Sequence, residues 1–201
     1  MNDSLLAKLF WQWISSLESF WARLWREKYG ESLGGHDPNL RHGASALSKG
    51  WFLNKEEFGA SIQWKVGNGN TALFWLDSWC GEGSFKVNFP DLFRIASEKS
   101  KPVAYYWRYL NGLGGWNVRF TRGLLEEERE QDERLQGLLR SMQVIPSGPD
   151  KATWQVDPTS GYSTRQGYIW FMRNKCHNAE LAAKQLDIWR PRVPLKIKIF
   201  M

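Results

Sequence analysis

Tryptophan is the residue that most limits what this chain can fold into. Among 201 residues there are thirteen Trp, against eleven Phe and six Tyr, so an unusually large share of any core is indole. With 42% of residues hydrophobic and 18 glycines besides, the composition is that of a globular chain rather than a disordered one. No apolar run approaches the ~18 residues that a membrane-spanning helix needs. Cys80 and Cys176 allow at most one bridge, which excludes a disulfide scaffold.

Hydrophobic periodicity predicts an α+β chain. Over residues 4–29, Leu6, Phe10, Trp13, Leu17, Phe20 and Leu24 recur at three- and four-residue steps, the stripe of an amphipathic helix. Asn2, Asp3 and Ser4 supply cap chemistry, and Gly30 is a stop. Trp11, Trp21 and Trp25 widen the stripe beyond one core face. Burial between partners is preferred over a membrane interface, because Glu18 and Glu27 dilute the cationic face. Residues 30–45 read as a loop, on which His36 and His42 are surface residues rather than ligands.

Ile62, Trp64 and Val66 alternate with Gln63 and Lys65 as a half-buried strand does. Asn68-Gly69 then predicts a tight hairpin with a return strand through about Trp75. A short helix is expected from Leu92 to about Lys99, and a longer one, capped by Thr121, to about Met142. Leu124, Leu125, Leu135, Leu138, Leu139 and Met142 form its apolar face. Glu128 and Gln131 interrupt that face, which predicts an exposed middle, with an ion pair such as Glu130–Arg134 on the solvated side. The turn-rich stretch Ile145–Asp150 is the expected boundary between a Trp-rich region, 1–145, and a smaller unit, 151–201. In the latter a second hairpin is expected around Asp157–Gly161, followed by a helix capped by Ser163 or Thr164 and running to about Asn174.

The net charge is +6, and its distribution matters more than its size. Residues 1–100 carry 11 basic and 11 acidic groups, and residues 101–150 carry 7 of each. Residues 151–201 carry 9 basic and 3 acidic groups, so the whole surplus falls in the last quarter. A cationic surface of this kind favours polyanions such as nucleic acid. The residues Met1–Lys8 lack a positive n-region, and Lys8 and Gln12 break the apolar run a signal peptide requires. The expectation is an intracellular protein, nuclear or cytoplasmic and not secreted, with reduced cysteines.

The chemistry of a catalyst is not spelled out. There is no nucleophile elbow, zinc-protease helix or phosphate loop. The eight aspartates, at 3, 37, 77, 91, 132, 150, 157 and 187, are all isolated from one another, so the adjacent pair of a two-metal polymerase site is missing. Cys176-His177 provides two ligands where a closed zinc site wants four. Cys80 has no indicated base partner. The chain reads as a non-enzyme with no cofactor and no small-molecule substrate.

Several strings resemble a known family. They are Leu24-Trp25-Arg26-Glu27-Lys28-Tyr29-Gly30; Trp64-Lys65-Val66-Gly67-Asn68-Gly69 with Phe74-Trp75-Leu76-Asp77-Ser78-Trp79; and Phe89-Pro90-Asp91-Leu92-Phe93-Arg94-Ile95-Ala96. Together they are similar to the region downstream of the polymerase in plant LINE-type (non-LTR) retrotransposon proteins. Trp154, Ser160-Gly161-Tyr162-Ser163, Tyr168, Ile188-Trp189, Pro194-Leu195-Lys196-Ile197 and Phe200 resemble the opening of that family's reverse-transcriptase zinc-binding domain. The resemblance implies a connector piece whose polymerase body would lie before Met1 and whose zinc ligands would lie after Met201. Neither activity transfers to these residues.

What the resemblance and the charge imply together is an accessory role in nucleic-acid binding, to RNA or DNA. Arg165, Arg173, Lys175, Arg190, Arg192, Lys196 and Lys198 are the candidate phosphate contacts, with Trp170 and Trp189 to stack on unpaired bases. The alternatives are a structural module that self-associates or packs on a polymerase domain, and a decayed copy without function. A carbohydrate-binding module is disfavoured, because most of the Trp residues are periodic with core faces. A Myb-like repeat is disfavoured because its regular Trp spacing is not sustained.

Overall fold

The computed structural model describes residues 3–16, 19–20, 23–24, 57–110, 113–144 and 148–175. Their elements are α1 (Asp3–Ser15), β1 (Ile62–Lys65), α2 (Phe85–Asn88), α3 (Pro90–Ile95), α4 (Val103–Tyr106), β2 (Trp107–Leu110), β3 (Leu113–Trp116), α5 (Glu126–Arg140), β4 (Lys151–Trp154) and α6 (Thr164–Lys175). The chain is α+β, with an N-terminal helix and small antiparallel strand pairs. None of these helices is long and apolar enough to cross a membrane. The described residues fall into two compact units, the first drawn from residues 1–23, 39–58 and 156–201 and the second from 24–38 and 59–155.

In the first unit α1 packs on α6. Leu6, Ala7, Phe10, Trp13 and Ile14 of α1 are buried, as the three-and-four spacing requires, while Leu5 and Leu9 stay exposed. Phe58 is the centre of this unit. Its ring meets Phe10 edge-on at 5.5 Å and Tyr162 edge-on at 5.1 Å, and stacks on Phe171 at 6.4 Å. The buried Tyr162 hydroxyl donates to the Ser4 carbonyl at 2.6 Å, and the Lys8 ammonium donates to the Tyr162 carbonyl at 3.1 Å. The helix expected over 4–29 ends early, at Ser15. The Ser15 hydroxyl turns back to the Trp11 carbonyl at 2.6 Å, a local bond by which serine competes with helix propagation. Helical backbone resumes at Phe20, Arg23 and Leu24, with Arg23 N–H on the Ser19 carbonyl. Trp21, Trp25, His36, His42 and the Gly30 stop lie outside the described residues.

The second unit holds the aromatic core. Phe74 stacks on Tyr106 at 4.1 Å and meets Trp75 and Phe85 edge-on, each at 5.2 Å. Trp79 sits beside them and donates its indole N–H to the Phe74 carbonyl at 2.9 Å. That bond meets the need of a buried indole for an acceptor. A hairpin is present, but it is β2–β3, in register Trp107↔Trp116 to Leu110↔Leu113. Trp116 Nε1 donates to the Leu139 carbonyl at 2.8 Å, which fixes this hairpin to the end of α5.

The strand at Ile62–Lys65 forms as expected, yet its mate is β4, antiparallel, from Ile62↔Trp154 to Lys65↔Lys151. The return strand expected through Trp75 is instead a loop and a turn, in which Asp77 closes back on Leu73 with its carboxylate on the Leu73 N–H at 2.7 Å. Likewise β4 does not pair with residues 161–163. The turn at Asp157–Gly161 does form, closed by Gly161 N–H on the Asp157 carbonyl at 3.0 Å. The helix after it, Thr164–Lys175, matches the expected span within a residue at each end.

Helix α5 starts at Glu126 rather than after Thr121. Thr121 is used elsewhere, its hydroxyl and N–H both donating to the Ile95 carbonyl. With that later start Glu128 falls in the first turn of α5 rather than mid-helix, and it is buried, 3% exposed, rather than open. The apolar face narrows to Leu135 and Leu139, and Leu125 and Leu138 are exposed. The exposed pair on this helix is Glu126–Arg129, at 3.4 Å. Arg134, expected to pair with Glu130, lies with its guanidinium over the Phe89 ring.

Candidate nucleic-acid interface

The most distinctive string, Trp64–Trp79, builds a scaffold. Gly67 and Gly69 direct their N–H groups at Asp150 Oδ1, at 2.7 and 2.8 Å, and Thr71 and Ala72 direct theirs at Oδ2, at 2.8 and 3.0 Å. One carboxylate thus takes four main-chain donors in a concave loop, the geometry of a backbone anion nest. Gly69 holds φ at +72°, and a Cβ on Gly67 would run into the Gly148 and Pro149 carbonyls. The Gly-Asn-Gly sequence is therefore required by its grip on Asp150, not by a two-residue hairpin. Val103 and Ala104 N–H groups bond the Ala72 and Gly69 carbonyls, so the same loop positions α4.

A second scaffold element is the buried Glu128 carboxylate. It receives both Arg122 guanidinium nitrogens, at 2.7 and 2.8 Å, and the Leu125 N–H at 2.9 Å. These partners, the guanidinium first, lower its pKa from the usual 4.5 to about 2. The last of these bonds is the return half of a capping box, which Leu125 has no side-chain acceptor to complete. Asp91, bonded by the Gln131 amide at 2.9 Å and by Arg94 at 3.3 Å, ties α3 to α5.

Between these scaffolds lies the arrangement that composition by blocks concealed. From residue 85 to 122, the basic residues 86, 94, 99, 101, 108, 119 and 122 meet two acids, Asp91 and Glu98. Counted in fifties the surplus disappears, because acids before residue 85 offset its first part and the acidic first half of α5 offsets the rest. The Lys86 and Lys99 ammonium groups lie 6.0 and 5.4 Å from the centre of the Phe93 ring, and the Lys101 ammonium lies 5.6 Å from that of Tyr105. Cations over ring faces are held by the ring quadrupole while remaining open to water. Beside Tyr105 is a cleft of about 230 Å³, lined among others by Ser97, Glu98, Arg108, Asn117 and Arg119. Its walls are pinned by main-chain bonds, Ser97 N–H to the Arg119 carbonyl at 3.0 Å and Asn117 N–H to the Tyr106 carbonyl at 2.8 Å. The Tyr106 hydroxyl donates to the Glu98 carbonyl, and burial pushes that phenol's pKa far above its usual 10.

The residues expected to contact nucleic acid are distributed differently. Arg165 and Arg173 are exposed on α6. Trp170 is half-buried, edge-on to Phe58 at 6.2 Å and to Phe171 at 4.8 Å. The Lys175 side chain, Arg190, Arg192, Lys196, Lys198 and Trp189 lie outside the described residues, as does Cys176-His177. Cys80 is free and buried, and burial raises its thiol pKa, which keeps it protonated and unreactive. Among the described residues no group of three or more His, Cys, Asp or Glu is placed to hold a metal ion. No family model, curated protein or solved structure matches this chain.

Proposed function

We propose that this chain is a non-catalytic accessory segment of a retroelement-type reverse-transcriptase protein, and that it binds nucleic acid. The observation that carries the reading is the cationic, aromatic surface of residues 86–119, where lysines sit over Phe93 and Tyr105 beside a cleft lined by Arg108 and Arg119. The exposed Arg165 and Arg173 of the first unit are separate cationic groups in keeping with the reading, and the Trp64–Trp79 string supports the retroelement ancestry. Phosphate contacts of this kind release counterions, so affinity for a labelled RNA or DNA oligonucleotide falls steeply with salt. Fluorescence anisotropy between 50 and 300 mM KCl tests this, and Lys99→Glu with Lys101→Glu weakens binding about tenfold or more on this reading. Affinity indifferent to ionic strength removes it.

Exposed Leu5 and Leu9 on α1 favour a second reading, a module that packs on a polymerase domain or on itself. Concentration-dependent association in sedimentation velocity, relieved by Leu5→Ser and Leu9→Ser, supports that reading, and a monomer at all concentrations removes self-association.

A further inference from the structure

We infer that the cleft beside Tyr105 is a subsite for one unpaired nucleotide, its phosphate between Arg108 and Arg119 and its base against the Tyr105 ring. The inference rests on the nucleic-acid reading above and adds to it a site and a strand preference. Both arginines are exposed, and among the described residues neither guanidinium has a hydrogen-bond or ion-pair partner. Two planar cationic forks lining one cleft are suited to a phosphodiester, which each can bind through paired N–H groups. Glu98 lines the same cleft. Two positive charges and one negative leave a net charge that one phosphodiester neutralises, and the carboxylate repels a second.

The ring next to this charge is available and fixed. Tyr105 is 42% exposed, is held edge-on by Tyr106 at 5.2 Å and 81°, and carries the Lys101 ammonium near its face. Aromatic faces stack on unpaired bases without regard to sequence. Asn117 and Ser97 supply both donors and acceptors for a base or sugar edge. At about 230 Å³ the cleft falls below the ~300–1,000 Å³ of sites for drug-sized ligands. It takes part of one nucleotide, the remainder lying open to water, and is too small for a helix. A duplex keeps its bases paired and stacked and offers the cleft phosphates alone, so the arrangement favours a single strand.

The test uses the full chain with two fluorescent probes of one sequence, a 12-nucleotide single strand and the same strand in a hairpin duplex, titrated at several KCl concentrations. The expected result is about tenfold tighter binding of the single strand. Tyr105→Ala removes that preference by weakening the single strand about tenfold and leaving the duplex unchanged, while Tyr105→Phe keeps it. Arg108→Ala with Arg119→Ala makes the log–log salt dependence of single-strand binding shallower by about 0.7, the loss of one phosphate contact. Equal binding of both probes, unaffected by Tyr105→Ala, overturns the subsite and leaves the nucleic-acid reading standing. Binding of neither probe overturns both. If Tyr105→Ala folds poorly, the exposed arginine pair decides through the slope, and an unchanged slope overturns the subsite.

Discussion

Asp150 is the residue whose loss reaches furthest. Its 6%-exposed carboxylate is the acceptor for four N–H groups that lie 78 to 83 residues earlier in the chain. Asp150→Ala strands those donors, and the expected cost is roughly 3–4 kcal/mol, read as a lower urea midpoint at unchanged slope. An unaltered midpoint would mean that water serves the loop as well as the carboxylate does. At Glu128 the sign of a pH effect follows from the folded pKa of about 2 against an ordinary 4.5. Asp157 is likewise lowered from 3.8 to about 2, first by the Ser160 N–H and then by the Gln166 amide. The unfolded chain binds more protons between those values, so stability rises with pH across that window and is lost as pH falls from about 4.5 to 2. Glu128→Gln should flatten that limb in thermal melts at pH 2, 3, 4 and 5. The glycines were legible in sequence as a turn, but a lone aspartate in a turn-rich stretch gives no sign of the donors it will meet.

At the level of elements, helices were more legible than strand partners. The three-and-four spacing of α1 and the turn-then-helix pattern of α6 depend on neighbouring residues, and both formed where expected apart from the early stop at Ser15. Strand periodicity places Ile62, Trp64 and Lys65 on faces but does not choose a mate, and the mate proved to be Lys151–Trp154. The cleft was missed for a related reason, because its walls come from three short stretches of chain, 97–98, 105–108 and 117–119, joined by main-chain bonds. Helix α5 allows a direct comparison of buried and open positions on one stripe. Leu135 is fully buried and Leu138 is 39% exposed. Leu135→Ala is expected to cost about 2–5 kcal/mol and Leu138→Ala within about 0.5, by chemical denaturation. In the first unit, Phe58→Ala removes the ring on which Phe10, Tyr162 and Phe171 converge, for roughly 3–5 kcal/mol. Equal costs at Leu135 and Leu138 would contradict the burial pattern of α5.

For the whole molecule, the +6 charge is less informative than where opposite charges separate. A basic stretch followed at once by an acidic helix sums to nearly zero over a broad window, although side chains present the two signs on different elements. The pairings that complete the second unit are among the most distant in its sequence: Ile62 with Trp154, and the glycine loop with Asp150. Such non-local contacts slow folding, because loop closure precedes any gain. During synthesis the delay is imposed rather than merely favoured. Once Lys65 has been added to the nascent chain, 86 further residues must be polymerised before its mate Lys151 exists, several seconds at ~5–20 residues per second. Nascent chains arrested near residue 140 should therefore be cut readily by protease in this region, while released full-length protein resists. Throughout that interval an indole-bearing strand edge stands open, and a chaperone that shields it would raise the yield of native protein.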